Sequence, residues 1–428
     1  MLWHMTLLDN HTDLDSQRVL EAFTTSRNNS MKLAKAFSAE DWMVQSMPDA
    51  SPIKWNLAHT SWFYETFILK PFADGYRSYN SDFNFLFNSY YQQVGAMHPR
   101  PDRGLLSRPS AQEVEAYRCH VDDAAIALLN NADADLFAIL KPLFELGRAH
   151  EEQHQELLLT DIKHALSLNP LAPILFEVEM PTSEAAIPLE WVSFDGGLVE
   201  IGNDKDSFAF DNEGPRHKTY IDDFSLANRP VTNGEYLQFI EAGGYHEASI
   251  WLADGWELVQ AENWKAPLYW RKCSDGWFEY SLFGERPVNL AAPVCHLSFY
   301  EAAAFAEWTS YRLPTEFEWE RAAETVSEAG QFMTDGVFEP PAPAQGEGLC
   351  QIFGSVWEWT ASPYVAYPGY RSPEGAIGEY NGKFMSSQMV LRGGSVATPT
   401  GHARRTYRNF FPPRARWQFA GLRLARDV

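Results

Sequence analysis

His150-Glu-Glu-Gln-His154-Gln-Glu156 lies inside a long apolar-periodic run from Ala134 to about Leu168. Leu143, Leu146, His150, His154, Leu157 and Leu158 share one broad stripe of that run, which predicts a helix. Residues four apart on a helix share a face, so both imidazoles can address one ion. The stripe faces the interior, where an imidazole without a partner is costly to bury. A third histidine, in Asn56-Leu-Ala-His59-Thr-Ser-Trp62, shares a face with Trp55, Trp62 and Phe63 and points inward too. Three neutral imidazoles from two helices can cap one face of an octahedral ion and leave positions open for substrate and O2. The residues therefore predict a metal site at His59, His150 and His154. His98, His164, His217, His246, His296 and His402 lie outside any such pairing and read as structural or surface residues.

Three more helices surround this one. Asp13 to Phe37 is periodic. Ser51-Pro52 opens a second helix, with Ser as cap and Pro in the first turn, running to about Lys70. Ser110-Ala-Gln-Glu113 is a capping box that opens a third. Pro142 is placed to split a first turn off the fourth. Four helices of this length predict a bundle over residues 1–170. Pro71 to Pro109 is too long for a casual connection and too aromatic for disorder, so it reads as a functional loop. Helical periodicity stops near Asn169-Pro-Leu-Ala-Pro173, and a linker over 171–187 follows. Residues 188–428 change to short strands, glycine turns and tryptophans. Two helices are clear there, Asn233 to Ala242 and one opening at the capping box Thr315-Glu-Phe-Glu318. Val326 to Gly348 reads as a surface insertion.

The chain has 428 residues, enough for two to three domains of ~150 residues. A net charge of −23 opposes binding to nucleic acid and to anionic membranes. Lys383 to Val428 runs the other way, at +8, and leaves −31 on the rest. Gly, Pro and apolar residues thread that stretch like ordered structure, so its arginines read as gathered around a pocket for small carboxylates. No run approaches the ~20 apolar residues of a membrane span. The start lacks a basic flank and a long apolar core, so no signal peptide is expected. Cys119, Cys273, Cys295 and Cys350 are scattered without a CxxC, which points to a reducing cytoplasm and to cysteines that act as small buried hydrophobes.

With these residues on the page, two resemblances emerge. The first half, through His59 and the HxxxHxE pattern, resembles the DinB-like four-helix metal domains. The second half resembles the formylglycine-generating-enzyme (sulfatase-modifying-factor) domain, a C-type-lectin-like fold. It does so through five blocks in order: Pro230-Val-Thr-Asn-Gly-Glu-Tyr236, Arg312-Leu-Pro-Thr-Glu-Phe-Glu-Trp-Glu-Arg-Ala-Ala323, Gly354-Ser-Val-Trp-Glu-Trp-Thr360, Leu391-Arg-Gly-Gly-Ser395 and Gly421-Leu-Arg-Leu-Ala425. The fusion is similar to the sulfoxide synthases of ergothioneine biosynthesis over nearly the whole chain. That resemblance implies a non-haem Fe(II) enzyme that uses O2 to join the sulfur of cysteine, or of γ-glutamylcysteine, to C2 of the hercynine imidazole. His59, His150 and His154 match the family's iron ligands. One departure is informative. Formylglycine-generating enzymes work through paired cysteines near the RGGS-type motif, whereas Arg392-Gly-Gly-Ser-Val-Ala-Thr398 has none and none follows Cys350. Cysteine-to-formylglycine chemistry is excluded, and the second domain is expected to wall a substrate pocket.

The resemblance also assigns substrate contacts. Phe410 and Phe411 match the branch that takes free cysteine, since the γ-glutamylcysteine branch calls for an acid where Phe411 stands. Gln153 and Asn409 match positions that hold the amino-acid end of hercynine. Arg100 and Arg414 are expected to hold the cysteine carboxylate, and Asp49 its ammonium, although Asp49 also reads as a helix-start residue. Glu156 is expected to orient a ligand or a substrate group. The proton donor is expected to be Tyr90 or Tyr91, whose unperturbed pKa of ~10 keeps the phenol protonated, with Tyr364, Tyr367, Tyr370 and Tyr380 as rivals. Three other functions fit parts of the pattern: a relative that forms a carbon–selenium bond from a selenosugar, a zinc-dependent DinB-type thiol S-transferase, and a non-catalytic lectin-like binder. Oligomeric state is not legible.

Overall fold

The computed structural model of the protein describes residues 2–176, 186–204, 208–333, 336–344 and 346–428, with side chains from Leu14 onward. It divides into two compact units, Met1–Ala165 with Pro373–Tyr380, and Leu166–Ser372 with Asn381–Val428.

The first unit is helical: α1 (Leu2–Ala34), α2 (Ile53–Tyr64), a short α3 (Phe83–Phe87), α4 (Ala111–Asn131) and α5 (Ala134–Ser167). α1 starts well before Asp13 and stops short of Phe37, where the chain tightens into i→i−3 bonds from Ala36 and Phe37. α5 runs unbroken through Pro142, so no first turn splits off. One missing N–H is a small loss in a helix of 34 residues held by packing. Every residue of α2 is buried, which makes it the central helix of the unit. Its start differs from the sequence reading. Pro52 occupies the cap position with no side-chain bond, and Ser51 is used by tertiary structure instead. The Ser51 N–H donates to Asp161 at 2.8 Å, and its hydroxyl accepts from Arg103 at 2.9 Å. Beyond Tyr64 the helix widens into a π turn, Glu65–Leu69. Buried Glu65 accepts there from the hydroxyls of Tyr117 at 2.7 Å and Tyr76 at 2.8 Å. π turns cluster at functional sites. α4 opens on the Ser110/Glu113 capping box as read. The aromatic loop is not featureless: it holds α3 and a 3-10 turn, Arg100–Leu105.

The second unit mixes strands and helices. Its strands are β1 (Trp191–Phe194), β2 (Gly197–Ile201), β3 (His217–Ile221), β4 (Phe224–Ala227), β5 (Trp270–Cys273), β6 (Gly276–Ser281), β7 (Gly284–Pro287), β8 (Trp357–Pro363), β9 (Met389–Arg392), β10 (Asn409–Phe411), β11 (Ala420–Gly421) and β12 (Ala425–Asp427). Among the described residues they form sheets ordered β1-β4-β12, β10-β9-β8-β11 and β5-β6-β7, with a β2-β3 ribbon. Among the described residues four helices accompany them where the sequence pattern reads two: α6 (Asn233–Glu241), α7 (Ala253–Glu262), α8 (Phe299–Trp308) and α9 (Glu316–Ala323). α8 has a capping box, Ser298 with Glu301, whereas α7 has no side-chain cap and gives no start signal.

Two further expectations are corrected. The Val326–Gly348 stretch is not only surface, because Phe332 and Phe338 are buried and Phe332 joins the core around Trp319, Phe353 and Leu226. Of the four cysteines only Cys295 is buried; Cys119 is exposed, and Cys273 and Cys350 are part-exposed. The glycine motifs have a steric reason. Gly393 and Gly354 sit at φ +100° and +72°, and a Cβ would come within 2.5 Å of the Ile352 carbonyl oxygen and 2.3 Å of the Gln331 carbonyl oxygen.

Candidate metal centre

His59 on α2 and His150 and His154 on α5 place their ligand atoms within 4.8 Å of one another. The helical faces read from the sequence therefore converge. Trp55 stacks on the His59 ring at 4.6 Å, and Trp62 stacks on it at 5.4 Å.

The hydrogen bonds set the tautomers. His59 Nδ1 lies 2.6 Å from the Phe87 carbonyl oxygen, at the end of α3. His154 Nδ1 lies 2.8 Å from Oδ1 of Asn56, whose amide nitrogen is committed to the Ser51 and Pro52 carbonyls. Both partners only accept, so Nδ1 carries the proton and Nε2 is left with its lone pair. His59 Nε2 and both ring nitrogens of His150 are buried with no hydrogen-bond partner. Burial, reinforced by the neighbouring histidines, holds His59 and His154 well below the usual imidazole range. Burial alone takes His150 down to about 3. Neutral imidazoles with unmet lone pairs are costly to bury unless something accepts them. A divalent ion shared by the three meets that need, so the residues fit a metal.

Three tyrosines gather beside these ligands within the helical unit. Tyr91 is fully buried, with its ring 5.5 Å from Trp62 and 5.0 Å from Phe67. Tyr90 stacks on Tyr91 at 4.6 Å. Tyr380 comes from the Pro373–Tyr380 segment; its ring is 5.5 Å from His150 and 6.3 Å from Tyr90, and its hydroxyl donates to Gln153. The adjacent Glu379 carboxylate accepts the backbone N–H groups of Gln92 at 2.6 Å and Gln93 at 3.2 Å. The other rivals are engaged in the second unit: Tyr364 with Asn212, Tyr367 with Glu316 and Tyr370 with Asp211.

The remaining candidates divide between the units. In the helical unit Arg100 is exposed and donates to the backbone carbonyl of Asp49, while Gln153 and Glu156 are half-buried on α5. In the second unit Asn409, Phe410 and Phe411 form β10, Phe410 stacks on Tyr364 at 4.0 Å, and Arg414 is exposed. Sequence reasoning missed Arg103. Its guanidinium is buried 3.3 Å above the Trp55 ring, on the tryptophan that stacks against His59. It donates to the hydroxyls of Ser51 and Ser89, and among the described residues no carboxylate forms an ion pair with it. Burial, with repulsion from Arg100, lowers its pKa to about 8. The spacing Arg100-Pro-Asp-Arg103 in a 3-10 turn was the available signal.

Comparison with known proteins defines the class. Residues 22–164 match the DinB superfamily, and residues 178–346 and 336–428 match the sulfatase-modifying factor enzyme 1-like domain. The chain is 30% identical to a hercynine oxygenase of Mycolicibacterium smegmatis over 96% of its own length and 99% of that protein's. It is 31% identical to a hercynine oxygenase of Mycolicibacterium thermoresistibile, over 94% and 93% of the two chains. Over 51% of its length it is 30% identical to the ergothioneine biosynthesis protein 1 of Schizosaccharomyces pombe, 28% of which is covered. A DinB bundle fused to a sulfatase-modifying-factor domain, with a three-histidine cluster able to hold a metal ion, defines an oxygenase architecture. The chain belongs to the hercynine oxygenase family of ergothioneine biosynthesis. It is an enzyme. Among the described residues no helix is long and apolar enough to cross a membrane.

Proposed function

We propose that this chain is a sulfoxide synthase that joins the sulfur of cysteine to C2 of the hercynine imidazole, using O2 and an Fe(II) held by His59, His150 and His154. The observation that carries the proposal is the convergence of three neutral imidazoles, those of His59 and His150 buried with ring nitrogens that meet no partner, with Tyr380 packed beside His150. Fe(II), when bound, supplies open coordination positions at which the thiolate, O2 and the substrate imidazole meet. The balance is complete: the S–H and C2–H bonds break, a C–S bond forms, and sulfur gains one oxygen. The two hydrogens leave with the other oxygen atom as water, so O2 takes up four electrons.

The chain's own residues supply the rest. Trp55 and Trp62 bracket the His59 ring and keep water from it. Arg103, buried near Asp161 but in ion-pair contact with no carboxylate among the described residues, is the group we assign to the cysteine carboxylate. Arg100 adds to its positive field, and Asp49 supplies the carboxylate for the ammonium. Burial raises the Tyr91 phenol well above its usual range, so it holds its proton at Oη until a developing negative charge draws it. Tyr90 and Tyr91 are therefore the assigned proton donors. The apolar Phe411 supports free cysteine as the donor, because no carboxylate stands there for a glutamyl amine.

The test is Fe(II) reconstitution under argon, followed by O2 uptake with hercynine plus cysteine or γ-glutamylcysteine and mass analysis of the product. The expected product is the hercynine–cysteine sulfoxide, formed with one O2 per coupling. Turnover without O2, or with Zn(II) alone, overturns the reading.

A further inference from the structure

All four long helices meet at a buried polar junction beside the metal ligands. Arg27 of α1 donates to Asp122 of α4 at 2.6 Å, to Glu151 of α5 at 3.0 Å, and to Thr60 and Ser61 of α2 at 3.3 and 2.8 Å. Arg118 of α4 donates to Glu151 at 2.8 Å, to Thr60 at 3.0 Å and to the Leu57 carbonyl at 3.0 Å. Ser30 of α1 completes the Glu151 carboxylate at 2.7 Å. Apart from Asp122, whose side chain is about a quarter exposed, the junction is dry: Arg27 and Arg118 are 2% exposed and Glu151 is fully buried.

Thr60 and Ser61 directly follow the ligand His59, and Glu151 directly follows the ligand His150. Neither charge nor depth explains why such a junction is kept. Apolar groups of similar volume often replace a buried ion pair with no loss of stability. Guanidinium forks, however, fix direction as well as distance. Leucine packing tolerates a small slide of one helix along another, whereas two forks that both grip Thr60 and Glu151 do not. A slide of one residue is ~1.5 Å, enough to separate ligands that must converge on one ion.

We propose that Arg27, Arg118 and Glu151 are positioning residues of the metal centre, locking the register of α2 against α5 so that His59 meets His150 and His154. The inference rests on the proposed metal site. Its test uses Co(II) as the probe, read by visible ligand-field bands and by competition titration of the full-length chain. The charge-balanced variant Arg27→Met/Arg118→Met/Asp122→Leu/Glu151→Met and the milder Thr60→Val/Ser61→Ala are compared with wild type. Both should keep the helical signal and cooperative melting of the metal-free protein, yet bind Co(II) roughly ten- to hundredfold more weakly with an altered spectrum. Thr60→Ser, which keeps the hydroxyl, should restore both. If the fourfold variant does not fold, the double variant decides alone. Folded variants with wild-type affinity and spectrum overturn the positioning role and leave the metal site standing. Wild-type chain that takes up no Co(II), or a His59→Ala variant that binds it as wild type does, overturns the metal site and the inference with it.

Discussion

The Tyr380 hydroxyl donates a hydrogen bond to Gln153, 227 positions earlier in the chain. Gln153 precedes the ligand His154 on α5, and the Tyr380 ring packs against the ligand His150. A late segment of sequence therefore belongs to the helical unit, where with Glu379 it grips both α5 and the backbone that follows Tyr90-Tyr91.

Replacing any one of His59, His150 and His154 by Ala should abolish stoichiometric metal binding and turnover. The metal-free melting temperature should move by only about 5 °C, because each loss removes at most one hydrogen bond and, at His59 and His150, a buried ring nitrogen that meets no partner. Metal analysis after reconstitution checks this, and full occupancy in two of the three variants would refute the ligand set.

Tyr90→Phe and Tyr91→Phe together should slow coupling by about 10²-fold and shift the product from sulfoxide towards cysteine sulfinate, since proton donation favours the coupled outcome. Product ratios by mass spectrometry separate the two. An unchanged ratio in the double variant, with a change in Tyr380→Phe, would move the donor to Tyr380. Glu379→Ala should raise hydrogen exchange at the Gln92 and Gln93 amides.

Arg103→Met should raise the KM for cysteine by roughly ten- to hundredfold and leave the KM for hercynine within about twofold, the loss expected when a charge-assisted hydrogen bond goes. Arg103→Lys should rescue little, because an ammonium cannot stack flat on Trp55 while forking to an anion. Equal KM changes for both substrates would assign Arg103 to packing alone.

Gly354→Ala should destabilise the second unit by at least about 2 kcal/mol, since it adds left-handed strain to a backbone clash with Gln331. Calorimetry should show the second unit's transition falling while that of the helical unit stays in place.

What the sequence disclosed and what it withheld follow one physical line. His59, His150 and His154 were legible because helical period fixes which residues share a face. The capping boxes at Ser110 and Thr315 were legible because their bonds are local. Ser51 defeats the same rule, since its N–H and hydroxyl are claimed by Asp161 and Arg103, which are distant in sequence. Arg103 carried only the faint mark of its spacing from Arg100 and Glu151 none: one looks like a loop arginine and the other like a solvated helix glutamate until tertiary structure buries them. DinB and sulfatase-modifying-factor motifs gave the two-domain fold, but no motif says that Pro373–Tyr380 packs with the helices.

The π turn after α2 has a consequence of phase. Five residues, Glu65–Leu69, take the room of fewer α-helical positions, so side chains beyond the turn are rotated relative to those before it. Phe63, ahead of the turn, packs on His150 at 4.6 Å, and Phe67, inside it, reaches Tyr91 at 5.0 Å. Deleting one residue there would let the turn close to α-helical pitch, leave the helix downstream near its place, and remove the widened turn in which Phe67 reaches Tyr91. One widened turn thus lets neighbouring positions of a single helix address both the ligand helix, through Phe63, and the aromatic loop, through Phe67.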